Sequence, residues 1–322
     1  MTTQIAPVLF LIFNRPDVTR QVFSRIREAK PSRLFVAADG PREGNFDDLS
    51  HCEECRKIIF EVDWPCEVKT LFRNENLGCK LGPSNAISWF FESVSEGIIL
   101  EDDCFPSDSF FQYTSELLIR YRNHKNIMSI GGCSLGYDGP SKNSYGFCGI
   151  MNMWGWATWA DRANLIDYSI SSWSLRRSNL PFLIALARMG WSGAPFRYGI
   201  YKFWTMIFDK IVQNKLNTCW DYQWIYHGFM KRKISVFPTT NMIRNLGFGG
   251  NSTHTSDPKH PLGHLLEKNI QFPLVHPKSF SLDKKYMKSE IYERWVGIDL
   301  SIVKDLKLLA RDLMRRGKLT DN

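Results

Sequence analysis

Glu96-Gly97-Ile98-Ile99-Leu100-Glu101-Asp102-Asp103-Cys104 is the stretch that decides the fold, because an apolar run ends directly in three carboxylates. A short, uninterrupted apolar run is typical of a strand buried in a parallel sheet. Acids at the carboxyl end of such a strand lie where open α/β sheets bind their ligands. Three adjacent carboxylates repel one another, and a hard divalent ion such as Mg²⁺ or Mn²⁺ would relieve that repulsion and bring phosphates with it. The alternative is a solvated acidic turn.

Three further strands precede the acidic one and alternate with helices, which predicts a parallel sheet with helices on both faces. The predicted strands are residues 7–13, Arg33–Ala38 and Glu67–Phe72, and the predicted helices begin near Pro16, Asp47 and Gly82. Right-handed crossovers would place the four strand ends on one rim. We therefore expect Asn14, Asp39, Arg73 and Asp103 to share a single crevice.

The rest of the chain continues this alternation and adds a loop rich in Gly and Asn. Helices are predicted at residues 107–124, 179–214 and 220–231, strands at 127–132 and 234–237, and the loop at 241–255. Six of the eleven tryptophans fall between positions 154 and 204. Such a concentration indicates either a thick core or stacking surfaces for sugar-like ligands.

Composition narrows the classes of partner. The chain has 322 residues and 43% hydrophobic content, which is typical of a globular protein. Its net charge of +8 and its pI near 9.0 favour anionic partners such as nucleotide phosphates or an anionic membrane surface. We expect no nucleic-acid binding, because no RNP, zinc-finger or helix-turn-helix motif accompanies the charge. The eight scattered cysteines and the lack of a long apolar segment predict a reduced, cytoplasmic protein, soluble or peripheral on a membrane.

Several motifs, in their order along the chain, resemble the GT-A glycosyltransferases. The chain has a strand ending in Asp39-Gly40, then Arg73-Asn74-Glu75-Asn76-Leu77-Gly78, then a strand running into Glu101-Asp102-Asp103. This order is similar to the group related to N-acetylglucosaminyltransferase I, which has EDD where other members have DxD. Two later motifs resemble bacterial sugar transferases related to that group: Trp154-Gly155-Trp156-Ala157-Thr158-Trp159 and the stretch from Asn245-Leu246-Gly247 to Thr253-His254. The resemblance extends over about residues 6–256.

The resemblance implies a fold, a domain organisation and an activity. The fold would be GT-A: α/β, Rossmann-like, with a mostly parallel central sheet, an acceptor-side helical region and a C-terminal basic helix. Residues 1–260 would form the catalytic domain, with a nucleotide-binding half at 1–104, an acceptor-binding half at 105–260, and a C-terminal extension at 261–322. The activity would be metal-dependent, inverting transfer of a hexosyl or N-acetylhexosaminyl group from a UDP- or GDP-linked sugar. The acceptor would be a hydroxyl of a glycan or lipid-linked molecule in bacterial surface polysaccharide biosynthesis.

The resemblance and the expected rim together assign candidate site residues. By resemblance, Asp103 and His254 would bind Mn²⁺ or Mg²⁺, and Asp221 would be the catalytic base. The predicted contacts to the donor nucleotide are Phe13, Asn14, Arg15, Asp39, Arg73, Asn76, Gly78, Glu101 and Asp102. Trp154 and Trp156 would line the acceptor or donor-sugar pocket, since apolar sugar faces stack on indoles.

Several of these residues also have ordinary structural roles as alternatives to a role in binding or catalysis. Arg73 is equally an ordinary surface arginine. The alternative role for Asp221 is that of a helix N-cap, which is compatible with catalysis. Core packing is an equal alternative for Trp159. Asp161 is a second candidate base.

The tail, residues 302–319, is a predicted basic amphipathic helix. One interpretation is a membrane-surface helix, which would suit a lipid-linked acceptor at the inner leaflet. The other is a helix that docks on the domain or on a second subunit of a homodimer.

Three other classes of function share parts of this pattern. A sugar-nucleotide-forming nucleotidyltransferase should have a glycine-rich basic loop after the first strand, and Phe13-Asn14-Arg15-Pro16 contains no glycine. A nicotinamide dehydrogenase fails for the same reason. A non-catalytic protein that binds nucleotide sugars or carbohydrate remains open.

Overall fold

A computed structural model of the protein describes residues 4–137, 142–186, 198–216, 218–248, 260–295, 297, 303–304 and 306–312. Within these residues the strands are β1 (Val8–Ile12), β2 (Arg33–Ala38), β3 (Glu67–Phe72), β4 (Glu96–Glu101), β5 (Cys104–Pro106), β6 (Ile127–Gly131), β7 (Tyr145–Cys148), β8 (Trp156–Trp159), β9 (Ile234–Pro238) and β10 (Ile243–Asn245).

The helices lie between these strands and after them. They are α1 (Pro16–Ala29), α2 (Phe46–Arg56), α3 (Gly78–Ser93), α4 (Ser109–Tyr121), α5 (Ala160–Ala163), α6 (Trp173–Arg176), α7 (Leu180–Ala185), α8 (Tyr198–Val212), α9 (Asp221–Lys231) and α10 (Lys284–Tyr286). Two 3₁₀ segments, Lys57–Glu61 and Pro261–His264, and a π-helical segment, Met287–Trp295, complete the described elements.

Eight of the strands form one mixed sheet in the order β3-β2-β1-β4-β8-β6-β9-β7. The first four strands of the chain are mutually parallel, as the sequence predicts. β8 is antiparallel to β4 and β6, whereas β6 and β9 are parallel, and β7 closes the edge as an antiparallel strand. β5 and β10 pair separately as a two-stranded ribbon. The fold is therefore α/β with a large mixed sheet, and the predicted fold class is confirmed at this level.

The helices cover both faces of the sheet, and the direction of winding reverses between β1 and β4. Side chains alternate along β1, so that Phe10 packs with Val22 of α1 in one buried cluster. Leu9 and Leu11 point to the other face and pack with Ile87 of α3 in a second cluster. Because α1 and α3 lie on opposite faces, β1 and β4 are neighbours whose connections run in opposite directions. The crevice at such a reversal is where open α/β sheets bind ligands.

Several elements begin or end at positions that differ from the prediction, among them the described part of the predicted helix 179–214, which is two helices, and the predicted loop 241–255, which contains β10. Two of the differences lie beside the acidic turn. The acidic strand stops at Glu101; Asp102 and Asp103 form a turn, and the chain continues into β5. The helix predicted to begin near Gly82 begins at Gly78 and contains Pro83. Its early start has a physical reason, because the Asp39 carboxylate accepts hydrogen bonds from the backbone amides that precede and open it.

The segment after residue 260 packs against the sheet. Tyr286 stacks on Phe237 of β9 with ring centroids 3.6 Å apart and an interplanar angle of 7°. Leu262, Ile270 and Met287 are buried in the same cluster as β1 and β4. The division into domains at 104 and 260 stays a prediction.

The described part of the predicted tail helix, residues 303–304 and 306–312, is helical. It contacts α8 through Asp312, which accepts hydrogen bonds from Lys202 Nζ at 2.7 Å and from the Tyr198 hydroxyl at 3.1 Å. Val303 and Leu306 remain exposed. This contact is the docking arrangement that the sequence left open, whereas the membrane-surface role stays a prediction. In the part of the chain that the structure describes, no helix has the length and apolar character to cross a membrane.

Candidate functional site

Four strand ends meet at one edge of the sheet. In the register of the parallel strands, Ile12 is opposite Ala38, Ala38 is opposite Phe72, and Leu11 is opposite Glu101. The residues that follow these strands therefore emerge side by side, as predicted. This carboxyl edge includes the β1–β4 reversal, where the ends of two neighbouring strands carry Arg15 and the three acids.

Arg15 joins the end of β1 to the acidic end of β4. Its guanidinium binds Asp102 through two nitrogens, with Nε 3.2 Å from Oδ2 and Nη2 against Oδ1. The same Nη2 lies 3.1 Å from Oδ2 of Asp103. Asp102 is 4% exposed, so this ion pair is largely withdrawn from water. Burial alone would lower the pKa of Arg15, but the charges of Asp102 and Asp103 raise it above its ordinary value.

Negative charge is in excess around this arginine. Burial raises the pKa of Glu101 well above its ordinary range, and the charges of Asp103, Asp102 and Asp221 raise it further, with Arg15 opposing them. Burial also raises the pKa of Asp102 to about 6, although the positive charge of Arg15 acts to lower it. Asp221, at the start of α9, is therefore near the acidic turn although it lies more than a hundred residues away in sequence. A site of this kind favours cations and developing positive charge.

A backbone clasp holds Asp103. β10 pairs antiparallel with β5, and the next residue, Leu246, donates its backbone amide to the Asp103 carbonyl at 2.7 Å. Gly247 donates to Oδ1 of Asn245 at 2.7 Å. A Cβ on Gly247 would overlap Oδ2 of Asp103 and come to 3.0 Å from Asn245 Oδ1. The sequence identified this Asn-Leu-Gly stretch only as part of a resemblance; in the structure Gly247 lies so close to Asp103 that any larger residue would require the carboxylate to shift.

Gly247→Ala is expected to displace the Asp103 carboxylate and to weaken divalent-ion binding about tenfold or more, because the added Cβ would overlap Oδ2 of Asp103. Calorimetric titration with Mn²⁺ measures the effect. Gly263→Ala is the matched control, since its Cβ would meet Phe248 rather than a carboxylate. Unchanged Mn²⁺ affinity in Gly247→Ala would show that Asp103 does not bind the ion.

Asp39, Asn76 and Gly78 support one another at the neighbouring strand end. The Asp39 carboxylate accepts from the backbone amides of Leu77 at 3.0 Å and Gly78 at 2.9 Å. Asn76 Nδ2 donates to the Gly40 carbonyl at 2.8 Å, and Gly78 has φ +76°, a conformation that favours glycine. These contacts show what orders the loop between β3 and α3. The predicted contacts of the three residues to a nucleotide stay a prediction.

Arg73 follows β3 on the same edge. Its backbone amide donates to the Ala38 carbonyl at 3.0 Å, and its own carbonyl accepts from Arg56. Its Nη1 atom is buried and makes no hydrogen bond to another described residue. A buried guanidinium nitrogen without a partner is costly. This observation favours a ligand-binding role over that of an ordinary surface arginine.

Asn14 and Phe13 belong to a polar cluster around a buried aspartate. Asp48 accepts from Asn14 Nδ2 at 2.6 Å and from both Nε and Nη2 of Arg42. The Arg42 guanidinium lies over the Phe13 ring at 5.7 Å. Hydrogen bonds from Arg42 and Asn14 lower the pKa of Asp48 to about 2, although burial opposes them. Sequence analysis missed Asp48, because nothing in its local pattern distinguishes it from Asp47.

Asp48→Asn is expected to lower the free energy of unfolding at pH 7 by about 1–2 kcal/mol. A carboxyl with a lowered pKa stabilises the fold above its unfolded-state pKa of about 4, and this contribution is lost as the pH falls toward 2. The difference between wild type and variant in urea unfolding should therefore shrink between pH 5 and pH 2. Asp47→Asn, an exposed neighbour in α2, is the control. A difference that does not change with pH would contradict this account of Asp48.

The tryptophans divide into buried and partly exposed positions. Trp156 is 0% exposed and packs against Trp220 and Trp224, with ring centroids 5.9 and 4.8 Å away. Because no face of its indole is open, the prediction that Trp156 lines a sugar pocket is wrong for this structure. Trp154 is half-buried and contacts the edge of Phe248 at 5.7 Å, so it keeps surface for a ligand. Trp159 is a core residue.

Of the two candidate bases, Asp221 lies near the acidic turn and Asp161 does not. Asp161 follows Trp159, which pairs with Glu96 at the start of β4, so it lies at the opposite edge of the sheet. There it forms ion pairs with Lys125 and Arg162, which rules it out as a base for this site. Asp221 is not the N-cap of α9, because Trp220 holds that position and Asp221 is in the first turn. His254 lies outside the described residues.

The donor set fits a hard divalent ion held by few protein ligands. Among the described residues, no group of three or more His, Cys, Asp or Glu side chains is arranged as a metal site. The acidic turn nevertheless supplies only oxygen donors, which Mg²⁺ and Mn²⁺ prefer. Arg15 also shows that Asp102 and Asp103 converge on one cation. An ion here would therefore rely on one carboxylate together with the ligand's own oxygens.

Comparisons with known proteins do not place the chain in a family. No family model matches its sequence, and no curated protein matches it. Among solved structures, the chain is similar to HddC from Yersinia pseudotuberculosis, with a TM-score of 0.29 and 10% sequence identity over 49% of this chain and 78% of that chain. A likeness at this level carries no argument about function, so the case for function comes from the site itself.

Proposed function

We propose that the protein is a glycosyltransferase of the GT-A fold that uses a nucleotide-diphosphate sugar, UDP- or GDP-linked, as its donor. The observation that supports this most strongly is the meeting of Arg15 with Asp102 and Asp103 at the winding reversal between β1 and β4. Here a cationic group and an excess of carboxylates share the place where α/β sheets bind phosphate-bearing ligands. The motif order of the chain then favours sugar transfer over other reactions of such ligands.

Asp103 would hold Mn²⁺ or Mg²⁺. Leu246 binds its backbone carbonyl, and Gly247 lies close to its carboxylate. When bound, the ion would act as a Lewis acid on the diphosphate leaving group, an effect worth several kcal/mol. Glu101 and Asp102 lie beside it and would contact ribose, donor sugar or water. Arg73, with its unpartnered Nη1, would meet the base or a phosphate.

Asp221 is the proposed base of an inverting reaction. It would take the proton from the acceptor hydroxyl as that oxygen attacks the anomeric carbon. Its position supports this role, because its charge acts on Glu101 at the acidic turn while Asp221 itself lies on a different element, the start of α9. Trp154, the half-buried indole of the pair, would contact the sugar.

The acceptor is a hydroxyl of a glycan or of a lipid-linked molecule, in bacterial surface polysaccharide biosynthesis. The net charge of +8 supports work close to an anionic surface, and we propose a cytoplasmic protein that is peripheral on the inner face of the membrane. The exposed Val303 and Leu306, next to Lys304 and Lys307, are the residues through which such contact would be made.

Thermal unfolding in the presence of UDP, GDP and other nucleoside diphosphates, with and without Mn²⁺, tests the donor class. A ligand present at a hundred times its Kd stabilises the fold by about 2.7 kcal/mol, which is easily measured. Turnover of the matching nucleotide sugars then tests catalysis. Stabilisation without turnover for any acceptor or for water would indicate a non-catalytic binding protein, and the absence of any Mn²⁺-dependent nucleotide binding would refute the proposal.

A further inference from the structure

Arg15 occupies the place of a cation between Asp102 and Asp103, and this has a consequence for ligand binding. We propose that Arg15 is a diphosphate-binding residue that releases Asp102 and Asp103 when the donor and its divalent ion bind; this inference rests on the proposed function. Binding would then be an exchange, in which the carboxylates pass from the guanidinium to the ion and the guanidinium passes to the phosphates.

Arg15 and a bound divalent ion would compete for the same oxygen of Asp103. Nη2 of Arg15 lies 3.1 Å from Oδ2 of Asp103, and the same Oδ2 is the atom that a Cβ on Gly247 would overlap. That oxygen is therefore enclosed by the guanidinium on one side and by backbone on the other. An ion that coordinates this oxygen would come close to the guanidinium, and two cations repel each other at such a distance.

The Arg15 side chain is freer to move than its backbone or the acids that it binds. The backbone of Arg15 is fixed between β1 and α1: its carbonyl accepts from the Thr19 amide at 2.9 Å, and Pro16 opens the helix. The Arg15 side chain is long and 26% exposed, whereas that of Asp102 is 6% exposed. The backbone of the acidic turn is also tied to the β5–β10 ribbon, through β5 and through the hydrogen bond from Leu246 to the Asp103 carbonyl. Displacement of the ion pair is therefore expected to move the guanidinium and not the acids.

The displaced guanidinium would bind the diphosphate of the donor. A planar guanidinium binds a phosphate through two parallel hydrogen bonds, in the same way as it now binds Asp102. Arg15 follows the last residue of β1, at the reversal where the diphosphate is proposed to lie. A diphosphate that arrives with its ion thus supplies a new partner for Arg15 when the ion coordinates Asp103. Divalent ion and diphosphate are therefore expected to bind cooperatively.

Arg15→Gln provides the test, with Mn²⁺ binding measured by the paramagnetic resonance signal of free Mn²⁺. Without nucleotide, the variant is expected to bind Mn²⁺ about tenfold or more tightly than wild type, because the competing cation is gone. In saturating Mn²⁺, the same variant is expected to bind UDP or GDP about tenfold or more weakly, because the diphosphate has lost a bidentate partner. Opposite changes in the two affinities are the signature of exchange.

Two controls keep the result interpretable. Arg27→Gln removes an arginine of α1, the helix that follows Arg15. Arg27 pairs with Asp63 on the surface, and its loss should change neither affinity. Arg15→Lys keeps the positive charge but loses the two parallel N–H donors of the guanidinium. It should weaken nucleotide binding more than it changes Mn²⁺ binding. If Arg15→Gln is less stable, its thermal unfolding should respond to Mn²⁺ alone more strongly than that of wild type.

Each other outcome decides against the inference. Tighter Mn²⁺ binding with unchanged nucleotide affinity would make Arg15 a static counter-ion, and unchanged Mn²⁺ affinity would remove the competition. The Mn²⁺ titration without nucleotide does not depend on catalytic turnover. Failure of the exchange is therefore distinguishable from failure of the proposed function, which would appear as wild-type protein that binds no nucleotide in Mn²⁺.

Discussion

Asp103→Asn is expected to lower the rate of Mn²⁺-dependent transfer from the nucleotide sugar by about a thousandfold, an effect of about 4 kcal/mol on the barrier. Asparagine has the same shape but no charge, so it binds a hard divalent ion weakly. The fold should survive, because the Asp103 carbonyl keeps its hydrogen bond from Leu246. Initial rates at saturating donor, together with the Mn²⁺ dependence of the rate, measure the loss.

The matched control for this change is Asp161→Asn. Asp161 is also an aspartate close to a strand end, but at the opposite edge of the sheet and paired with Lys125 and Arg162. Its substitution should leave the transfer rate within a factor of two of wild type, as expected for an exposed residue away from the site. An Asp103→Asn enzyme that keeps wild-type activity and Mn²⁺ dependence would remove the acidic turn from the chemistry.

Asp221→Asn is expected to lower kcat by a factor of about 10² to 10⁴, the range of general-base contributions, while leaving donor affinity nearly unchanged. An amide cannot accept the acceptor's proton, yet the donor's phosphates and ion are proposed to bind elsewhere. A separation of kcat from donor Kd therefore distinguishes a base from a residue that shapes the pocket. Steady-state kinetics with varied acceptor, combined with calorimetric donor binding, measure both quantities.

Asp108→Asn is the control for Asp221→Asn. Asp108 precedes α4, makes no side-chain capping bond, and pairs with Arg25 on the surface. It should leave kcat unchanged. The anomeric configuration of the product is an independent check, because a product that retains the donor's configuration would exclude Asp221 as the base of an inverting reaction.

Much of the sheet could be predicted from local sequence. β2 and β3 have the predicted bounds, and β1 differs only at its ends. β1 and β2 are recognisable because burial on both faces requires an apolar run, and nearly all of their residues are buried. β3 is an edge strand of mixed polarity, Glu67-Val-Lys-Thr-Leu-Phe72, in which no residue is fully buried. The acids after β4 are recognisable because they mark where the apolar run ends.

Contacts around the site were much harder to predict. The nucleotide contact of Asp39 stays a prediction, and the sequence did not indicate that the backbone amides of Leu77 and Gly78 bind its carboxylate. Trp156 was expected to face a sugar, but it is enclosed by Trp220 and Trp224 of the α9 region. Both outcomes depend on which distant segment packs against the residue. A local pattern records how apolar a position is and not which neighbour covers it.

The sequence by itself determined the α/β class, the four parallel strands and the position of three carboxylates at a strand end. Only the tertiary structure decided that Arg15 lies between Asp102 and Asp103, that Asp221 comes near Glu101, and that Gly247 closes over Asp103. Strand formation depends on the burial of neighbouring residues, whereas these meetings depend on strand order and on the direction of crossovers. Arg15 and Asp103 are 88 residues apart in the chain, and they meet because the winding of the sheet reverses between the two strands that carry them.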